Sequence, residues 1–269
     1  MKTSDEQALF ELKHISFAYP FEQPVLKDVS LSIHAGEMVA ILGVNGCGKS
    51  TLLKMLAGIL CPQEGEFKAF GRVMTEKMLL DDKLSKQYHQ RVGFIFQDSD
   101  VQLFCSTVQE EIAFGLLQLG MPDSEIKERM HDVMALLSIE HLKDKTPFKL
   151  SGGEKKKVAI AAILVMNPDI LILDEPTNGL DPRTQRWLVG LLLSLNKAGK
   201  TLITSTHNLE LVQEISQRAI LFDEHHSIVA DLPTANLLTD TKLLIDVNLV
   251  DEYYHRHESG EHSHYHIHN

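Results

Sequence analysis

Residues 38–51, MVAILGVNGCGKST, decide how the rest of the chain is read. An unbroken apolar run leads into three glycines and a lysine, and the following LLKMLAGIL (52–60) carries leucines at helical spacing. Strand, loop and helix therefore follow one another, and the loop has the spacing G-x-x-x-x-G-K-[ST]. Such a loop wraps its backbone N–H groups around phosphate oxygens, which makes Gly43, Val44, Asn45, Gly46, Cys47, Gly48, Lys49, Ser50 and Thr51 the candidate cradle. Lys49 reaches the terminal phosphates, the Ser50 hydroxyl is placed for Mg²⁺, and Thr51 adds a second hydroxyl. A glycine-rich turn alone would explain neither the lysine nor the strand before it.

Two further runs, DILILDE (169–175) and TLITST (201–206), are almost continuously apolar or β-branched, as strands covered on both faces are. With helical periodicity after each, they predict a parallel sheet with crossover helices. The first ends in two acids at the sheet edge where α/β folds bind ligands. Asp174 is thus a candidate partner of Mg²⁺, and Glu175 a candidate to polarise an attacking water.

Towards the N-terminus, HISFAY (14–19) and VSLSI (29–33) alternate like half-buried strands, with turn chemistry expected in QPVLKD (23–28), so a small antiparallel sheet is expected. From about residue 98 to 166 the pattern turns helical, and Ile126, Met130, Val133, Met134 and Leu137 fall on one stripe. The predicted class is α/β: a parallel-sheet core, a small antiparallel subdomain and an inserted helical subdomain. AILFDEHHSIVAD (219–231) reads as a hairpin turning at Asp223–His226, and beyond about residue 240 the pattern fades into a polar tail. A domain over 1–240 and an extension over 241–269 follow. No internal repeat is present, so the chain carries one such cassette.

A second anion seat is suggested by KLSGGEKKKVAI (149–160), where Ser151, Gly152 and Gly153 open a helix and leave its first N–H groups free for negative charge. The formal net charge of −11 argues against a nucleic-acid partner, which calls for basic surface. No window reaches 18 unbroken apolar residues, and MKTSDEQALFELKH (1–14) lacks the plan of a signal peptide. A cytosolic chain is expected, held at a membrane, if at all, by another protein. Cys47, Cys61 and Cys105 are too scattered for a disulfide framework or a thiolate zinc site. Cys47 lies inside the loop, where modification of its thiol would block a nucleotide sterically.

Taken together, these motifs resemble the ATP-binding subunits of ABC transporters over about residues 11–235. LSGGE (150–154) is similar to the family signature, VGFIFQ ends in Gln97 like the glutamine that senses Mg²⁺ and nucleotide, and TSTHN carries His207 like the switch histidine at the γ-phosphate. GLD ends at Asp181 like the loop that touches the partner subunit, and Tyr19 in ISFAYP matches the aromatic on which adenine stacks. The resemblance implies an ATPase with a P-loop NTPase core, using ATP and Mg²⁺, with Glu175, His207 and Gln97 as its catalytic set and Ser50, Gln97 and Asp174 around the metal. It further implies that two cassettes stack head to tail, so that Ser151, Gly152 and Gly153 of one close over the nucleotide held by Lys49 of the other.

QLFCSTVQEEIAFGL (102–116) and DEPTNGLDP (174–182) are similar to energy-coupling-factor importer ATPases, especially those for cobalt and nickel. That likeness implies a second ATPase subunit, identical or related, an integral membrane coupling subunit, a substrate-binding membrane subunit, and a peripheral place on the cytoplasmic face of the membrane. Leu103, Phe104 and Phe114 would then form a docking patch, the alternative being that they pack the helical subdomain. Six of the fourteen histidines lie in HRHESGEHSHYHIHN (255–269), and His262, His264, His266 and His268 alternate so that an extended segment presents them on one side, a cluster that suits nickel, cobalt, copper or zinc ions. A solvated tail that binds metal incidentally is the other reading. A vitamin importer, and a soluble ATPase working on ribosomes or DNA, are the competing functions.

Overall fold

A computed structural model describes residues 8–250. In chain order the strands are β1 (Phe10–Ala18), β2 (Pro24–Ile33), β3 (Met38–Leu42), β4 (Glu64–Ala69), β5 (Arg72–Val73), β6 (Val92–Ile95), β7 (Ile170–Asp174), β8 (Thr201–Thr206), β9 (Arg218–Phe222) and β10 (Ile228–Pro233). The helices are α1 (Lys49–Leu56), α2 (Glu76–Leu80), α3 (Asp82–Arg91), α4 (Ser99–Gln102), α5 (Val108–Gln118), α6 (Asp123–Leu137), α7 (Gly152–Leu164), α8 (Pro182–Lys197), α9 (Leu209–Ile215), α10 (Thr234–Thr239) and α11 (Thr241–Asp246).

The core sheet has the order β10-β9-β3-β8-β7-β6, parallel throughout except for the edge strand β10, which forms the expected hairpin with β9. Every residue of β3, β7 and β8 is buried, as their near-continuous apolar sequences require for strands covered on both faces. Register decides what this sheet can do. Leu42 pairs with Thr206 and Asp174 with Ser205, so the loop after β3, the acids ending β7 and the residues after β8 emerge together at one edge.

The second sheet is antiparallel, in the order β2-β1-β4-β5. It has two strands, β4 and β5, that the alternation pattern did not reveal, and it corrects the expected turn. Pro24–Asp28 belongs to β2, Ala18 pairs with Pro24, and the chain reverses over residues 19–23. A proline that opens a strand surrenders no ladder bond that matters, so Pro24 reads as turn chemistry yet sits in the sheet. The register shifts between Leu12 and Ala18, with His14 and Asp28 both at φ 52, are bulges that let the long hairpin twist.

Between β6 and β7 the chain builds a helical subdomain from α4, α5, α6 and α7. Ile126, Val133, Met134 and Leu137 of α6 are buried in its core, with Met130 packed against them, which is the stripe that the spacing predicted. Residues 241–246, expected to begin a polar tail, form α11 instead, because Leu244 and Val247 bury against Leu42, Val212 and Leu221.

The helical subdomain meets the core sheet where α7 crosses β6. A Cβ added to Gly93 would lie 2.3 Å from Ile163 Cγ2 and 3.2 Å from Pro168 Cγ, so glycine sets how near the helix comes. Gly93→Ala is expected to lower stability by about 1–3 kcal/mol through overpacking, read as an earlier midpoint in urea with an unchanged slope.

Candidate functional site

At the edge shared by β3, β7 and β8 a cavity of about 280 Å³ is lined by Asn45, Gly46, Gly48, Lys49, Ser50, Thr51, Gln97, Glu175, Asn178 and His207, together with Val25. Residues from five separate stretches of sequence therefore converge on one space. The loop after β3 turns sharply into α1. Gly48 caps that helix at φ 110, and a Cβ there would stand 2.3 Å from the Val25 carbonyl oxygen, so only glycine fits.

Lys49 is buried, and its ammonium donates to the carbonyl oxygens of Gly43 (2.7 Å) and Val44 (3.0 Å) while lying 4.0 Å from Glu175 Oε1. The loop thus folds back on its own cation. Cys47 is buried against Gly43, and burial pushes its thiol above the usual range, with Lys49 pulling the other way.

The two acids have different partners. Asp174 Oδ1 accepts from the Ser50 hydroxyl at 3.1 Å and from the Ser205 hydroxyl at 2.5 Å. Glu175 stands at φ 41, a conformation that is rare for a side-chain-bearing residue, and its N–H is fixed by both the carbonyl and the hydroxyl of Ser205, each at 3.1 Å. Glu175 Oε1 meets His207 Nδ1 at 3.0 Å. Ser50 and Gln97 line this wall, and Asp174, not itself among the lining residues, adjoins it through its bond from Ser50; the hydroxyl, amide and carboxylate oxygens of these three are of the hard kind that a magnesium ion accepts.

Ser205 is the residue that motif reading missed: fully buried, it orients both acids with one hydroxyl. Its signal was a serine in the middle of a strand whose every position is buried. Asn178, which also lines the cavity, carried no signal of its own.

Tyr19 borders the site through its hydroxyl, 3.4 Å from Thr51 Oγ1, and its ring stands edge-on to Phe17. Ser151, Gly152 and Gly153 are not among the residues lining the Lys49 cavity. Ser151 caps α7 in a capping box with Glu154, whose carboxylate accepts from the Ser151 N–H at 2.9 Å and the Ser151 hydroxyl at 2.8 Å. Those bonds hold the Glu154 carboxyl below its ordinary value. A Cβ on Gly152 would meet open space, whereas one on Gly153 would press on Thr184 Oγ1 at 3.0 Å. Asp181 caps α8, accepting from the Arg183 and Thr184 N–H groups and from the Thr184 hydroxyl.

A second feature lies on the helical subdomain. A groove of about 560 Å³ between α5 and α6 is lined by Phe104, Phe114, Leu117 and Met130, with Glu110 and Asp123 beside them. Phe104 is 60% and Phe114 40% exposed, their rings edge-to-face at 4.9 Å, so both belong to the surface. Leu103, grouped with them on sequence grounds, is only 2% exposed and packs in the core instead.

Among the described residues no group of three His, Cys, Asp or Glu side chains is arranged to hold a metal ion, and no helix is long and apolar enough to cross a membrane. His262, His264, His266 and His268 lie outside the described residues.

A phosphate-binding loop, paired acids and a histidine at the edge of a parallel sheet, with a helical subdomain carrying a second helix start, define an ATP-binding cassette. The chain belongs to the ABC transporter family, whose family model matches residues 26–178, and it is an ATPase. It is 49% identical over 252 residues to a putative ABC transporter ATP-binding protein of Methanosarcina acetivorans, covering 93% of this chain and 91% of that one. It is 42% identical over 229 residues to the nickel import ATP-binding protein LarO of Lactiplantibacillus plantarum, covering 85% and 95%. Among solved structures it is similar to cbiO1 of Clostridium perfringens, part of the ABC transporter complex cbiONQ, with TM-score 0.77 and 34% identity over 91% of this chain and 96% of that one. It is also similar to a dimeric ATP-binding cassette in a post-hydrolysis state bound to ADP and Pi, with TM-score 0.75 and 30% identity over 84% and 98%.

Removing the Ser205 hydroxyl leaves Asp174 and the Glu175 N–H each with one buried partner fewer. Ser205→Ala is expected to cost about 1–3 kcal/mol of stability, measured by urea denaturation, and to lower ATP turnover in the same preparation.

Proposed function

We infer that this ATPase dimerises head to tail around ATP and powers a membrane importer, and that the cargo is a nickel or cobalt ion. The observation that carries the importer reading is the exposed aromatic groove beside the segment that follows Gln97, on the subdomain that a membrane partner would engage. Its breadth suits an amphipathic helix, whose polar flank would meet Glu110, Asp123 and Lys127 at the border. Similarity to a nickel import ATP-binding protein supports the cargo. Such a chain would work as a peripheral protein on the cytoplasmic face of the membrane, beside a coupling subunit and a substrate-binding subunit.

The chemistry follows from the cavity. The cradle N–H groups and Lys49 hold the triphosphate, and its negative charge draws the ammonium from the Gly43 and Val44 carbonyls. Ser50, Asp174 and Gln97 would hold Mg²⁺, which supplies charge neutralisation at the phosphates when bound. Glu175 accepts a proton from water as the water oxygen bonds to the γ-phosphorus and the bridging oxygen leaves with ADP. His207 steadies the Glu175 carboxylate and stands beside the γ-phosphate.

The start of α7 supplies the other half of the site to a neighbouring copy. Among the described residues nothing crowds the Cβ direction of Gly152, so their packing does not demand glycine there, whereas close approach of a partner's nucleotide would. A phosphate arriving at this helix start competes with the Glu154 carboxylate for the Ser151 hydroxyl. ATP then joins two copies, and its cleavage removes the link.

Glu175→Gln is expected to reduce ATP hydrolysis at least about 100-fold while ATP shifts the chain from monomer to dimer in gel filtration; full turnover in that variant would refute the role of Glu175.

Expressed with the membrane proteins that co-purify with it, the chain is expected to drive ATP-dependent uptake of radioactive nickel or cobalt, and Phe104→Asp is expected to abolish both co-purification and uptake. Uptake of a labelled vitamin in place of metal would overturn the cargo, and a ribosome or nucleic acid as the co-purifying partner would overturn the importer reading.

A further inference from the structure

Residues 96–102, which begin just beyond β6 and carry Gln97, are tied to α7 by three side chains. Lys155 Nζ donates to Asp100 Oδ1 at 2.6 Å on the outside. Lys156 Nζ donates to the carbonyl oxygens of Phe96 at 3.1 Å and Gln97 at 2.9 Å. Gln102 bridges back, donating to the Ala159 carbonyl at 3.1 Å and accepting from the Phe96 N–H at 3.3 Å.

Lys156 is the unusual member, at 2% exposure. A buried ammonium is unfavourable unless its donors are satisfied, and an apolar side chain of similar length would fill the same volume at less desolvation cost. What the charge achieves is specific: β6 ends at Ile95, so the Phe96 and Gln97 carbonyls lie past the sheet ladder, and the ammonium gives both a partner. Because the bonds run to main-chain atoms, they fix the backbone from which the Gln97 side chain enters the Lys49 cavity.

The same helix begins at Ser151, about 6 Å along its axis from Lys156 at 1.5 Å per residue counted from Gly152. One end of α7 is therefore the seat offered to a neighbour's nucleotide, and a turn further on it grips the loop that faces the chain's own nucleotide. We propose that Lys156 is a positioning residue that couples the two ATP sites of the dimer, by making Gln97 move with the start of α7 whenever that helix closes on a neighbouring copy. The proposal rests on the head-to-tail reading given above. On closure, Gln97 is carried into position at the chain's own nucleotide; on release it withdraws, so each site fires only when the other is capped.

The test is a double-mutant cycle on the full chain, comparing wild type, Lys156→Met, Gln97→Ala and the double variant. Steady-state ATP hydrolysis is followed against ATP concentration, and affinity is measured with a fluorescent ATP analogue. Lys156→Met is expected to lower kcat about tenfold while leaving KM and analogue affinity within about twofold, since binding to the cradle does not pass through it. In the double variant kcat is expected to stay within about twofold of that of Gln97→Ala alone, because a residue that acts only through Gln97 has nothing left to position. Multiplying losses, or an unchanged kcat in a folded Lys156→Met chain, would overturn the proposal. Should Lys156→Met fail to fold, Lys156→Gln, which drops the charge but keeps a donor toward the Phe96 and Gln97 carbonyls, enters the same cycle with an expected loss of about threefold; multiplying losses or an unchanged kcat there overturns the proposal equally. A Glu175→Gln chain that stays monomeric with ATP defeats the head-to-tail reading, whereas one that dimerises beside multiplying losses defeats only the role of Lys156.

Discussion

The parallel register that pairs Leu42 with Thr206 and Asp174 with Ser205 brings three loops out of the sheet at one level. The contacts that join Ser50, Asp174, Glu175, Ser205 and His207 depend on that alignment. Lys49 follows β3, the two acids end β7, and His207 follows β8, yet these residues span 159 positions of sequence, counting from Lys49 to His207. A slip of one residue in the pairing would turn Ser205 away from Asp174 and detach Glu175 from β8, because neighbouring side chains in a strand point to opposite faces. Such a slip is resisted by burial: with both faces of β3, β7 and β8 covered, alternative registers expose apolar surface or bury unpaired polar atoms.

Within this frame, charge is kept buried by giving each group a partner. Lys49 is held by carbonyls of its own loop, Asp174 by two hydroxyls, the Glu175 N–H by Ser205, and Lys156 by carbonyls beyond β6. Burial lowers the Lys156 ammonium to about 8, with Asp98 and Asp174 opposing the change. These are interactions of the kind whose removal is costly, since the partner left behind stays desolvated. They also explain why the cavity is shaped before a nucleotide arrives: acids and histidine are fixed by bonds inside the chain, and binding would have only to redirect the Lys49 ammonium. Preorganisation of that sort spends little free energy on ordering when the triphosphate binds.

Long-range order was legible in the sequence where a feature is both local and chemically constrained. The phosphate loop, the apolar strands at 38–43, 169–175 and 201–206 and the stripe on α6 each rest on a spacing that one element imposes on its own residues. What escaped depended on contacts between distant residues. Ser205 looks like a strand residue until Asp174 is placed beside it, and Lys156 looks like one of three solvated lysines in EKKK until α7 is packed against the segment after β6. Pro24 misled because proline marks turns and strand openings alike. Leu103 misled because its neighbour Phe104 points outward, and alternate positions in a short extended stretch face opposite sides. Leu244 and Val247 were passed over because two apolar side chains on a short helix make no period worth reading.

On the proposed reading, the two anion seats would divide the labour of one reaction between unlike geometries. The cradle would meet phosphate with backbone N–H groups and with a lysine that its own loop carbonyls hold meanwhile. The start of α7 is a single helix end, already capped by its own Glu154, and a helix end alone contributes only about 0.3–1 kcal/mol when exposed. Its attraction for phosphate would become decisive only once water is excluded and the charge it meets is already held in a cradle, conditions that a second copy would supply in the proposed dimer. A weak seat is what a cycling machine requires here. Were α7 to bind phosphate tightly by itself, loss of one phosphate on hydrolysis would not separate the copies, and the bonds from Lys156 to the Gln97 loop would have no alternating motion to transmit.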